Sequence, residues 1–238
     1  MITKDTKGTK GTKAIRGRQV TQFSRAALLL VAAMFAAAPW IINAAPYEAS
    51  RGLVYKIFFF HMPAAWIFLI AAIVSGVYSA LFLFRGKPPS DWKALAAAEL
   101  AFVFGAIALV TGPLWARKAW GVWWVWDARL TSSLLVWMIF GAYLLLRKYG
   151  GPGSDKLSAG MALFGMATVP FIFVSVNYWR TLHPQTSVVP TLPLSMGGPL
   201  WFCFSAFLLL FLLLMSLRVR LERQRAAVDA LYLSEDES

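Results

Sequence analysis

One cysteine, Cys203, stands among 238 residues, and it lies inside an apolar run. Within a single chain it excludes a disulfide framework, a zinc site built on paired cysteines and a CxxC redox pair. The CxxCH attachment motif of c-type cytochromes is absent too. Charge is scarce: 14% of the residues are Asp, Glu, Lys or Arg, against about 25% in soluble domains. Acidic residues are the scarcer sign, 11 against 23 basic, which leaves a net charge of +12. There are two histidines in all, His61 and His183. What fills the chain instead is apolar: 59% of it, gathered in long blocks, with a mean hydropathy of +0.62. That pattern reads as an integral membrane protein, in which one helical bundle is the natural unit. A surplus of +12 in a soluble protein would suggest nucleic acid. Here Lys and Arg cluster where apolar blocks end, the positions that set orientation in a membrane.

Residues 1–25 form a basic segment with a repeated Gly-Thr-Lys, low in complexity and expected to be disordered. The apolar run Ala26–Ala45 follows. A signal peptide is one reading; its length and the further spans behind it favour a retained first helix. Residues 46–60 are partly amphipathic and are expected along the membrane interface. The second span is Ala64–Phe84, with Pro63 suited to the first turn of a helix. Further spans are expected at about Ala94–Leu114, Leu130–Leu146, Leu157–Val176 and Leu200–Leu217. The expected fold is therefore all-α, a membrane bundle of six helices over residues 26–217, followed by a charged tail over 218–238. Two segments between spans are unusual: a Trp-rich loop at 115–129, and a Pro- and Gly-rich loop at 177–199 that carries His183. With both termini cytoplasmic, the inner segments hold 17 Lys and Arg and the outer ones six. This bias sets the expected orientation and puts His61, the Trp-rich segment and His183 on one outer face.

Trp115, Trp120, Trp123, Trp124 and Trp126 fall within twelve residues and make up five of the 11 tryptophans. An aromatic belt explains one or two Trp at a helix end. Five together, interleaved with Gly121, Asp127 and Arg129, point to a platform for a large flat apolar ligand, because indole offers wide area and a stacking face. Two histidines flanking such a platform suggest a pair of axial ligands for haem iron; two unrelated interfacial histidines are the plainer reading. Lys56, Arg117, Lys118, Arg129 and Arg180 crowd the same face against Glu48 and Asp127. Interfacial anchoring accounts for any one of them, and binding of carboxylates accounts for the group. Asp127 has a second reading, in which it bonds a Trp N–H or Arg129 and fixes the loop rather than touching ligand. Glu99, in the third span, is costly toward lipid and is expected to snorkel to water. Met62, Met138, Met161 and Met166 could be axial ligands in principle, but methionine in apolar spans reads as packing.

The segment Trp120-Gly-Val-Trp-Trp-Val-Trp-Asp-Ala-Arg-Leu-Thr131 closely resembles the tryptophan-rich signature of the haem-handling membrane proteins of cytochrome c maturation, and among them the haem exporter protein C (CcmC) family. His61-Met-Pro-Ala-Ala-Trp66, after Tyr55-Lys56, resembles that family's first histidine segment, and His183-Pro-Gln its second. The resemblance covers roughly residues 26–217. It implies non-covalent haem b, in transit, on the periplasmic face of the bacterial inner membrane. His61 and His183 would be the axial ligands, and Trp115, Trp120, Trp123, Trp124, Trp126 and Asp127 the platform. Arg129 and Lys56 would be candidates for the propionates. Many relatives are expected to carry Arg where Lys56 stands, so the charge is kept and the bidentate fork lost. It implies as partners a periplasmic haem chaperone (CcmE), ABC transporter subunits (CcmA, CcmB) and a small single-span subunit (CcmD). No nucleophile or acid–base pair stands out, so a transfer protein is expected rather than an enzyme. A larger haem-lyase subunit would need more spans and histidines. A b-type electron-transfer subunit would place its histidine pairs within the bilayer core, and a structural subunit would bind no haem.

Overall fold

A computed structural model describes residues 7–46, 52–184 and 189–236, with the side chains of 7–24, 53 and 234–236 left outside that description. Glu48, Arg51 and Gln185, all named or counted in the sequence reading, lie outside the described residues. The chain runs through α1 (Lys7–Ala44), a 3₁₀ turn (Gly52–Ile57), α2 (Phe58–Arg85), α3 (Pro88–Trp120), α4 (Ala128–Tyr149), α5 (Ser154–Tyr178), a second 3₁₀ turn (Val189–Thr191) and α6 (Leu194–Asp236). No strand occurs among the described residues. All six α-helices are long and apolar enough to cross a membrane, as expected.

Small residues bring the central helices together. On α2 the buried positions run from Ala64 through Ile67, Phe68, Ala71 and Ala72 to Ser75, the i, i+3, i+4 spacing of one helical face. α3 answers with Ala94, Ala97, Ala98, Ala101 and Gly105. Lipid tails are as apolar as side chains, so close backbone approach and dispersion take over the role that burial from water plays elsewhere. Ser75 adds a hydrogen bond from its hydroxyl to the Ala94 carbonyl at 2.9 Å. α2 is the hub: it packs on α3, α5 and α6, while α4 packs on α5 and α3, and α1 on α6.

Several boundaries differ from the expected ones. α2 begins at Phe58 rather than Ala64, so His61 lies in its first turn and Pro63 inside it. Proline is tolerated there because only one ladder bond is lost and neighbouring helices compensate. Nor does the preceding segment lie on the interface throughout, since Phe59 is buried with Ala38, Ile42 and Leu200. α3 continues through Pro113 to Trp120, so Trp115 and Trp120 stand on a helix and the loop shrinks to 121–127. α6 starts at Leu194, ahead of Pro199, and continues through the charged tail to Asp236. α1 likewise extends back from its apolar part, Arg25–Ala44, to Lys7. Once a helix is nucleated, each further residue adds a bond at little cost.

Glu99 is partly exposed and also finds a cation. Arg218 of α6 grips it with two bonds, Nη2 to Oε1 at 2.6 Å and Nε to Oε2 at 2.5 Å. Arg147 of α4 holds Asp91 of α3 in the same two-pronged way, at 2.7 and 3.0 Å. Both pairs sit at the end of the bundle away from His61.

Candidate functional site

The ends of α3 and α5 and the starts of α2, α4 and α6 surround a cavity of about 760 Å³. Its wall is chiefly apolar, but His61, His183 and Arg129 all line it. The two histidines, 122 positions apart in sequence, are thus brought to one space.

Each imidazole is held with its proton on Nδ1. For His183 the partner is the Pro184 carbonyl, 3.1 Å from Nδ1. A carbonyl only accepts, so Nδ1 donates. For His61 the partner is the Thr111 hydroxyl at 3.0 Å. That hydroxyl gives its single hydrogen to the Ile107 carbonyl at 2.7 Å, so it receives from His61. Both rings therefore keep an unprotonated Nε2, the atom a metal takes. Burial first, and the Arg129 charge second, push His183 down to about 4, so it is neutral at neutral pH.

Arg129 stands in the first turn of α4 and lines the cavity. It makes no ion pair or side-chain hydrogen bond with any described residue. Asp127 is the anion whose charge it feels, but both carboxylate oxygens of Asp127 are engaged. Oδ1 caps α4 by accepting the Leu130 N–H at 2.7 Å, and Oδ2 accepts the Thr181 hydroxyl. Thr181 in turn accepts the His183 backbone N–H at 3.0 Å. Asp127 does not line the cavity; it ties the His183 loop to the start of α4 through Leu130 and Thr181, not through the Trp N–H or Arg129 expected for a loop-fixing role.

The tryptophans divide. Trp115, Trp120, Trp123 and Trp124 line the cavity. Trp115 and Trp120 meet edge to face, centroids 5.0 Å apart, and Trp120 lies 6.4 Å from the His183 ring. Trp123 is partly exposed under the Arg117 guanidinium, 6.0 Å from its centroid. Trp126 is 75% exposed and borders a separate shallow hollow with Trp137 and Val110, so it is not part of the cavity wall. Its exposure suits an aromatic belt. Lys56 is also turned away: its Nζ donates to the carbonyl and side-chain oxygens of Asn43 at 2.9 and 3.1 Å. Lys118 and Arg180 are exposed and do not line the cavity.

Sequence reasoning missed part of the wall. Trp66 and Trp201 line the cavity from α2 and α6, packed together at 5.5 Å. Met62, read as packing, lines it as well. The signal for Trp66 and Trp201 lay in the sequence, since both stand at helix ends on the histidine side.

The family profile described as Heme exporter protein C matches residues 9–233. A Heme exporter protein C of Bradyrhizobium diazoefficiens is 36% identical over 200 residues, 79% of this chain and 74% of that one. The Heme exporter protein C of Escherichia coli strain K12 is 34% identical over 203 residues, 82% of each. A ccmC-like mitochondrial protein of cytochrome c biosynthesis from Marchantia polymorpha is 34% identical over 169 residues, 70% of this chain and 72% of that one.

Proposed function

The chain belongs to the haem exporter protein C family, and from that premise we propose that it holds haem between His61 and His183 and passes it to a periplasmic haem chaperone. Its broader role, in haem export for cytochrome c biogenesis as a multi-pass membrane protein, is the family's. The observation that carries the finer reading is the convergence of two imidazoles, each with a free Nε2, on a cavity that also takes an unpaired arginine. The residues suit haem as cargo. A volume of about 760 Å³ is within the usual span of about 300–1,000 Å³ for ligand cavities. Apolar walls and six indoles suit a porphyrin face, neutral imidazoles suit its iron, and Arg129 suits a propionate.

The haem is bound without a covalent bond, as haem b in transit, with Trp115, Trp120, Trp123 and Trp124 as its platform. The site faces the periplasm, both termini are cytoplasmic, and the protein works with the CcmA and CcmB transporter subunits, the small CcmD subunit and the CcmE chaperone. It is a transfer protein and not an enzyme. Wild type purified with its haem is expected to be six-coordinate and low-spin in its optical spectrum. His61→Ala and His183→Ala should each abolish that spectrum and block transfer, and added imidazole should restore it in part by filling the vacated axial place. A pyridine haemochrome assay that finds no haem in wild type would leave a structural subunit. A low-spin spectrum unchanged in both variants would remove both histidines as ligands.

A further inference from the structure

His61 is held by two consecutive residues of another helix. Thr111 receives the ring's Nδ1–H at 3.0 Å, and the Thr111 hydroxyl is itself fixed by the Ile107 carbonyl at 2.7 Å. Beside it, Gly112 leaves the space in which the ring lies. A Cβ at that position would come within 3.1 Å of His61 Cε1, tighter than most real Cβ contacts, and within ordinary contact of Nδ1 at 3.7 Å, so the ring would have to give by a few tenths of an ångström. One residue therefore fixes the tautomer and the other fixes where the ring plane rests. Gly112 is not needed for any turn: it lies within α3, where glycine is a poor helix former. The His183 ring meets Trp120 edge to face, centroids 6.4 Å apart, but among the described residues no other helix takes its Nδ1–H. Its Nδ1–H goes to the carbonyl of the very next residue, so the ring travels with its own loop.

Resting on the haem-site reading above, we propose that Thr111 and Gly112 are positioning residues for His61, making it the ligand of fixed direction. The hydrogen bond to Nδ1–H keeps the lone pair on Nε2 and raises its basicity, as partners of metal-bound histidines do elsewhere. The seat on Gly112 sets the angle at which that lone pair enters the cavity.

Three variants test this with readouts that a merely structural threonine or glycine would not move. Thr111→Val keeps the shape and removes the hydroxyl; Thr111→Ser keeps the hydroxyl; Gly112→Ala adds the methyl. The measurements are the midpoint potential of the bound haem, the electron paramagnetic resonance g values of its ferric form, and haem per protein. In Thr111→Val the potential should rise, because a less basic imidazole stabilises ferric iron less, and haem affinity should fall about 10–100-fold. Thr111→Ser should behave as wild type. Gly112→Ala should accumulate in the membrane at least as well as wild type, since alanine is the better helix former, yet show shifted g values and less haem. If Thr111→Val fails to accumulate, Gly112→Ala reads the same ring without touching the hydroxyl. Wild-type potential and g values in Thr111→Val and Gly112→Ala overturn the proposal. His61→Ala run in parallel separates the two failures. If it keeps the wild-type spectrum, the ligand reading itself has failed. If it loses that spectrum while the other variants change nothing, only the positioning role has failed.

Discussion

Asp127 joins two segments with one carboxylate, and the pieces can be pulled apart by mutation. Asp127→Ala removes the α4 cap, a loss of about 1 kcal/mol, together with the hold on Thr181. Thr181→Val leaves the cap and removes only the link to the His183 loop. Thr181→Val is therefore expected to unfold with the same midpoint as wild type but to bind haem with a larger high-spin fraction, read by absorption spectroscopy. A fully low-spin spectrum in that variant would detach the clamp from ligation. His183 also carries a pH dependence. Its seated pKa is near 4, below the ordinary 6.5, because burial disfavours the charged ring and the Arg129 charge adds to that. The seated loop keeps its full stability above pH 6.5. It loses that stability as the pH falls toward 4, because the released loop takes up a proton that the seated one does not. Limited proteolysis of the haem-free protein should show the loop around His183 opening through that window, and His183→Gln should flatten the response. The histidines, Arg129 and four of the tryptophans were legible in the sequence because rare residue types at span boundaries carry information. Thr111 and Gly112 were not. Each is ordinary in a membrane helix until α2 is laid against α3 and the His61 ring falls between them.

α3 carries more of the site than its hydropathy suggests. Dense tryptophan and the charges of Arg117 and Lys118 read as the end of a span, but two cations in a last turn suit the carbonyl end of a helix. The true stop is Gly121, whose φ of +78° lets it cap the helix by donating its N–H to the Arg117 carbonyl at 3.2 Å. Trp115 and Trp120 are thus fixed to a rigid element and face the cavity, while Trp126, past the stop, faces away from it. The Trp-rich signature is expected to split accordingly. Trp120→Ala should lower haem retention, losing about 1 kcal/mol or more for the ring contact beyond its area, and Trp123→Ala should weaken it as well. Trp126→Ala should retain wild-type haem. Haem per protein after detergent extraction measures all three, and an equal loss at Trp126 would return the segment to a single platform. The six spans were legible from apolar run length alone. Their ends were not, since proline and charge mark a break in sequence while the neighbouring helices decide whether the helix continues, as at Pro63, Pro113 and Pro199.

Across the whole bundle, the two ends are built differently. At one end Asp91–Arg147 ties α3 to α4, and Glu99–Arg218 ties α3 to α6, with Glu222 joining at 3.0 Å. At the other, the helices open around the cavity and Arg129, which no described residue pairs. The paired end is also the end with most of the basic residues, part of the count of 17 against six from which both termini are expected inside. Reporter fusions at Lys87, Arg147 and Ser238 should all read cytoplasmic, and a periplasmic reading at any one would invert the orientation. Partners for the acidic residues of the spans were not legible, because Glu99 and Arg218 lie 119 positions apart and nothing local links them. The tautomers of the two histidines have a consequence for the energetics of transfer. Each ring already keeps its proton on Nδ1, inside a hydrogen bond, and offers a bare Nε2. On the haem-site reading, gaining or losing a metal at the Nε2 atoms of the seated rings would take up and release no proton. Acidity would enter only where the His183 loop opens, since its freed ring takes up a proton below pH 6.5.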